Sequence, residues 1–199
     1  MNIIDYSADA ANAAELSPDA RILRTAHDLF YRDGIRATGI DRVIAESGVA
    51  KKTFYRYFPS KDDLIVAFLE FRHENWMAWF RDALSRHGGT LSALVPALAE
   101  WFGGETYRGC AFINSVVEVG GTLPQAVDIA RRHKRDMTAA IRALMPASRT
   151  AKADAQALAL AVDGAIVAAQ FADAPADALK ALARLVRALS THRRGASTE

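Results

Sequence analysis

The sequence predicts an all-α protein, and three observations carry that prediction. Glycines and prolines punctuate the chain at Gly34, Gly48, Pro59, Gly88-Gly89, Gly103-Gly104, Gly120-Gly121, Pro146 and Pro175, and the stretches between them place apolar residues three and four apart. None of those stretches alternates apolar with polar residues over the length of a strand, and β-branched residues are few. A chain of 199 residues, 51% hydrophobic and 24% charged, can bury a full core and is too apolar for wholesale disorder.

Composition narrows the function only indirectly. A formal net charge of +2 supports no argument for a nucleic-acid partner, so local placement has to carry one. The one cysteine, Cys110, allows no internal disulfide and fits a reducing cytoplasm. The opening MNIIDYSADAANAAELS has no basic n-region, and apolar runs such as Ala157–Val162 are far too short for a membrane span. The expectation is a soluble cytoplasmic protein without a membrane partner, with flexible tails at 1–16 and 191–199.

The N-terminal helices follow from local signals. The first opens with Ser17 as N-cap and Pro18 in its first turn, buries Ile22, Ala26, Leu29 and Phe30, and closes at Gly34. A short second helix runs from about Gly39 to Ser47 with Ile40, Val43 and Ile44 inward. Gly48-Val49 then forces a tight turn into a third helix, Ala50 to Tyr57. Pro59-Ser60 ends it and caps the next, with Asp62 and Asp63 where carboxylates suit the helix dipole.

Two short helices joined at a glycine turn form a helix-turn-helix arrangement. Phe54 and Phe58 face the core with Ile40, Val43 and Leu29, whereas Lys52, Thr53 and Arg56 lie opposite, flanked by Lys51 and Tyr55. From Val49 to Lys61 the charged residues are Lys51, Lys52, Arg56 and Lys61, with no acid among them. Such a helix suits a major groove, with Arg and Lys reaching guanine edges and hydroxyls reaching phosphates. The plain alternative is a solvated basic face of an ordinary bundle.

The stretch TGIDRVIAESGVAKKTFYRYFPSKDDLIVAFL, Thr38–Leu69, resembles the DNA-binding signature of TetR-family repressors. Gly48, Val49, Ala50, Thr53, Phe54, Tyr55, Phe58, Ser60 and Lys61 carry the resemblance. It implies a helix-turn-helix DNA-binding domain at 17–60 and an effector-binding and dimerisation domain at 61–190. It implies groove-facing readers at Lys51, Lys52, Thr53 and Arg56, and phosphate or thymine-methyl contacts from Tyr55 and Tyr57. Lys61 would hold a phosphate and Arg42 the backbone or an outer base. Lys52 departs from the pattern, since many relatives carry a small residue or proline there.

Beyond residue 61 the reading is thinner. The fourth helix, Lys61 to about Arg86, has two apolar stripes (Leu64, Phe68, Phe71, Trp79 and Ile65, Leu69, Trp76, Phe80, Ala83), with Glu70, Glu74 and Arg81 marking a polar side. It is the natural link between head and effector domain. A fifth helix, about Leu91–Phe102, carries Pro96 in its interior and should kink. Gly109–Asn114 reads GCAFIN, which resembles a segment of one TetR subgroup. If Arg108–Val119 is helical, Asn114 lies beside Cys110, Ile113 and Val117 and must bond to backbone, Glu118, water or a ligand, since an unmet buried amide costs about 1–3 kcal/mol. The next helix, about Thr122–Leu144, opens with Thr122 and Gln125 at capping-box spacing and sets His133 in an apolar stripe of Ala126, Ala130, Met137, Ala140 and Leu144. The basic residues around His133 read as a solvated face.

The family's arrangement would place Trp76, Phe80, Trp101, Phe102, Cys110, Phe112, Asn114, Glu118 and His133 around a cavity for a small, largely apolar molecule. Singly, each of the apolar ones reads as core, and His133 and Asn114 as satisfied interior groups. Cys110 has only Arg108 nearby in sequence to activate it, which favours an inert thiol over a redox sensor. The last helices, about Ala151–Phe171 and Ala176–Leu189, read as a dimer interface through Leu158, Val162, Ala165, Leu179, Leu182, Val186 and Leu189. A monomer could hide the same seam internally.

The expected function is therefore a dimeric regulator of transcription on a pseudo-palindromic double-stranded operator, released by a small-molecule effector, with no cofactor. An all-helical enzyme would need a clustered constellation. The sequence has no HExxH, no nucleotide-binding glycine loop and no paired carboxylates beside a histidine. An architectural DNA protein without an effector is the third class.

Overall fold

The computed structural model describes residues 16–171 and 175–195, with side chains to Ser190. Among these residues the chain is helical throughout, without strands: α1 (Pro18–Asp33), α2 (Ile40–Ser47), α3 (Lys51–Tyr57), α4 (Lys61–Arg86), α5 (Leu94–Phe102), α6 (Ala111–Val119), α7 (Pro124–Ala143), α8 (Ala151–Phe171) and α9 (Ala176–Gly195). The expected tail 1–16 falls almost wholly outside the described residues. At the other end α9 continues to Gly195, past the expected boundary at 190. No described helix is long and apolar enough to cross a membrane.

The chain divides into two compact units. One holds Met1–Trp76 with Ala111–Arg131, the other Met77–Cys110 with Arg132–Glu199. The boundary read from sequence at residue 60 therefore falls inside the first unit, which also takes in the first half of α4, all of α6 and the start of α7.

In the first unit, α1 packs on α2 and α3. Its buried face is the expected Ile22, Ala26, Leu29 and Phe30, with His27 added. Ser17 supplies no side-chain cap to the backbone; its hydroxyl instead bonds Asp19, which holds that carboxyl below its usual range. Ser60 is a working cap for α4: its hydroxyl accepts from the Asp63 N–H at 3.1 Å and donates to the Asp63 carboxylate at 2.6 Å.

Arg72, which neither apolar stripe of α4 accounts for, is buried. Its guanidinium lies 3.9 Å from the centre of the Tyr31 ring, and Nη1 is 3.0 Å from His27 Nε2. His27 in turn sits edge-on to Phe68 and Phe71 and bonds Asp28 through Nδ1 at 2.9 Å. Burial pushes the His27 pKa down, with the nearby Arg72 charge acting in the same sense and the Asp28 bond opposing it. A polar knot thus joins α1 to α4 where sequence patterning anticipated a plain apolar seam.

In the second unit, α8 packs along α9, and α9 also meets α5. Pro96 does not kink α5, because Leu91–Ala93 forms a separate 3-10 turn and the α-helix begins at Leu94. That places Pro96 in the first turn, where its missing N–H has no intrahelical partner to lose. Tyr107 packs against Trp101 and Phe102 with ring centroids 5.3 and 5.1 Å away, and its hydroxyl donates to the Ile166 carbonyl at 2.6 Å. Thr122 is no capping box either: its hydroxyl donates to the Val119 carbonyl and finishes α6, while α7 starts at Pro124.

Candidate nucleic-acid interface

The turn between α2 and α3 is built by Gly48 at φ 64°, ψ 27°, in the left-handed region. On either side of it Val43, Ser47 and Val49 are buried, and Ser47 Oγ donates to the Ile44 carbonyl at 3.1 Å. Phe54 is fully buried, which anchors α3 by one side and fixes its rotation. Phe58 stacks near it at 6.2 Å. Thr38 is the missed member of this scaffold: it is buried, and its hydroxyl donates to the Gly34 carbonyl at 2.8 Å, setting the entry to α2.

With Phe54 inward, Lys51, Lys52, Tyr55, Arg56 and Tyr57 are exposed and Thr53 is half-buried. The Arg56 guanidinium lies 4.9 Å over the Tyr57 ring and donates to its hydroxyl at 3.3 Å. Lys51 meets Asp41 at 3.2 Å, an exposed pair that solvent screens and a phosphate can displace. Arg42 is more firmly engaged, with Glu46 at 2.7 Å and Asp33 at 2.8 Å; the Glu46 bond is the main cause of its raised pKa. It reaches DNA only by leaving those carboxylates.

Lys61, expected at a phosphate, is engaged within the head. Its Nζ donates to the Ile35 carbonyl at 2.6 Å, and partial burial pushes its pKa down while the Glu118 charge opposes that shift. Glu118, expected at the effector, accepts from the Arg36 N–H through Oε2 at 2.8 Å. The same carboxylate lies 3.3 Å from where a Cβ on Gly34 would stand. Gly34–Arg36, the link between α1 and α2, is therefore gripped by the first residue of α4 and the last turn of α6.

This head matches a family model, "Bacterial regulatory proteins, tetR family", over residues 22–68. Across nearly the whole chain, the fold superposes on the crystal structure of a TetR-family transcriptional regulator from Streptomyces coelicolor. The TM-score is 0.78 at 28% identity, covering 92% of this chain and 93% of that one. The chain belongs to the TetR family of transcriptional regulators. Relatives by sequence are HTH-type regulators: an uncharacterized one from Lactococcus lactis, 24% identical over 50% of this chain and 53% of its own, and the activator FasR of Mycolicibacterium smegmatis, 29% identical over 41% and 37%. The matched stretch thus spans about half or less of these two relatives.

The residues expected around an effector are split between the two units of this TetR-family chain. Trp76, Phe112, Asn114 and Glu118 belong to the first, and Phe80, Trp101, Cys110 and His133 to the second. Trp76, Phe80, Trp101, Cys110, Phe112 and His133 are buried, and Asn114 and Glu118 are half-buried. α6 is not buried all round, since Val117 is 81% exposed. Nor is Lys134 part of a solvated basic face. Its ammonium bonds Asp163 of α8 and touches Cys110, so the cation missing from the sequence neighbourhood of that thiol is supplied by α7.

The residues expected at a dimer seam differ in exposure. Leu158, Val162, Ala165, Leu182 and Val186 are buried within the chain itself, and Leu179 and Leu189 are half-buried. Spacing reports that a face is covered, not what covers it. Among the described residues, the large apolar side chains that α8 and α9 leave exposed are Leu160, Val167, Phe171 and Leu185.

Proposed function

We propose that this TetR-family regulator is a dimeric repressor of a pseudo-palindromic operator, acting in the cytoplasm and released when a small, largely apolar molecule binds its C-terminal part. The observation that carries the DNA reading is α3 itself, locked by Phe54 on one side and presenting Lys51, Lys52, Tyr55, Arg56 and Tyr57 on the other. Arg42 joins them at the margin and Thr53 supplies a hydroxyl. A helix of seven residues reads only a few base pairs. Two copies about 34 Å apart, one turn of DNA, supply the missing specificity. The exposed apolar side chains Leu160, Val167 and Phe171 on α8 and Leu185 on α9 support pairing.

For release, the effector has to favour a state with wrongly spaced heads by several kcal/mol, about 5.5 for a full reversal of occupancy. Phe80, Trp101 and His133, all buried in the second unit, are side chains on which such a site would draw.

Protection of the DNA flanking the regulator's own coding region tests the reading. A two-fold footprint that fades steeply with salt is expected, and binding that ignores sequence would leave only an architectural protein. Transcription from the protected promoter, with and without the protein, separates repression from activation, the role named for the mycobacterial relative. A molecule that stabilises the protein yet leaves operator affinity unchanged would sink the release mechanism.

A further inference from the structure

The second unit holds a nucleophilic cluster with no part in DNA binding. Cys110 closes the loop before α6 and is 4% exposed. Lys134 Nζ, from α7, lies 3.4 Å from its Sγ and forms an ion pair with Asp163 Oδ1 of α8 at 2.5 Å. The Lys134 and Asp163 side chains are each 27% exposed, so the sulfur is covered while the pair beside it opens to water. The loop is pinned close by: Gly109 stands at φ 81°, where a Cβ would run into Gln170, and Tyr107 is tied to the Ile166 carbonyl.

An oxidised cysteine normally condenses with a second thiol. This chain has one cysteine, so the nucleophile within reach is the Lys134 amine. We propose that Cys110 and Lys134 are an oxidation site that closes into a sulfenamide cross-link when a small two-electron oxidant of the peroxide class reaches the sulfur. Hydrogen peroxide oxidises the Cys110 thiol to a sulfenic acid and leaves as water. Lys134 passes one proton to the Asp163 carboxylate, and its freed lone pair attacks Sγ. The S–O bond breaks, the hydroxyl departs as water with a second amine proton, and an S–N bond remains. Sulfur loses two electrons and peroxide becomes two waters. Asp163 serves as proton acceptor and, in the reduced state, holds the amine in place. The proposal does not depend on the DNA-binding reading.

The test is mass spectrometry of the full chain after hydrogen peroxide treatment, intact and after tryptic digestion without reductant. The expected product has lost two hydrogen atoms, contains a peptide joining Cys110 to an uncleaved Lys134, and reverts with dithiothreitol. Lys134→Arg, which keeps the charge without the amine, should stop at oxygen adducts on Cys110, and Cys110→Ser should give no cross-link. Wild-type protein that gains oxygen on Cys110 while trypsin still cuts at Lys134 overturns the proposal. So does one that forms only an intermolecular disulfide. The wild-type result decides the matter even if a variant folds poorly.

Discussion

At the scale of single residues, three positions discriminate between effects that look alike. Around Gly48 no atom lies within 4 Å of an added Cβ, so Gly48→Ala meets no clash and its cost is the left-handed backbone alone. Urea unfolding should register a loss of about 1–2 kcal/mol; no loss would mean that the turn relaxes to another conformation. Arg56 and Lys61 are both basic and near the DNA face, but only Arg56 is exposed. Arg56→Ala should weaken operator binding by about 1–3 kcal/mol. Lys61→Ala should instead cost about 1–2 kcal/mol of stability through the lost bond to Ile35, with the salt dependence of DNA binding unchanged. A flattened salt slope would restore Lys61 to the phosphate. His27 carries the pH prediction. Its folded pKa lies below the unfolded value, so between the two the unfolded chain binds more protons and stability falls as pH drops. Melting temperature should decline from about pH 7 to about pH 5, and His27→Gln should shallow that decline.

At the scale of elements, the grip on Gly34–Arg36 is the contact that a reading of stripes could not supply. Glu118→Gln keeps the shape and the acceptor but removes the charge facing Lys61, and should loosen the head less than Glu118→Ala, which leaves the Arg36 N–H unmet. Limited proteolysis at the α1–α2 link would rank the two, and equal susceptibility would argue that the grip contributes little. Helices α1 to α4 were legible nearly to the residue because their limits are local: Pro18, Gly34, Gly48 and Ser60 act on their own neighbours. Sequence patterning ran out where a residue had two local options or a distant partner. Pro96 served equally as a kink or a first-turn residue, and Thr122 as a cap for α7 or a close for α6. Lys134, Glu118 and Lys61 found partners 29, 82 and 26 residues away, beyond any periodicity. The leucine seam of α9 reads as a covered face, and spacing alone does not name what covers it.

At the scale of the whole molecule, the exposed apolar residues of α8 set the assembly prediction. Phe171 is 81% and Leu160 74% exposed in the single chain, so replacing either by Asp removes nothing from its own core. Phe171→Asp should sediment as a monomer with unchanged helix content, and its operator affinity should collapse with the loss of the second head. A variant that remains dimeric would move the interface elsewhere. The Arg36 N–H has one further consequence. Its acceptor is a side chain of α6, 82 residues along the chain. Its hydrogen exchange is therefore gated by α6, not by any helix of the head. Labelled at that position, the protein reports through a single amide signal whether the last turn of α6 is docked, and it does so with no DNA or effector in the tube.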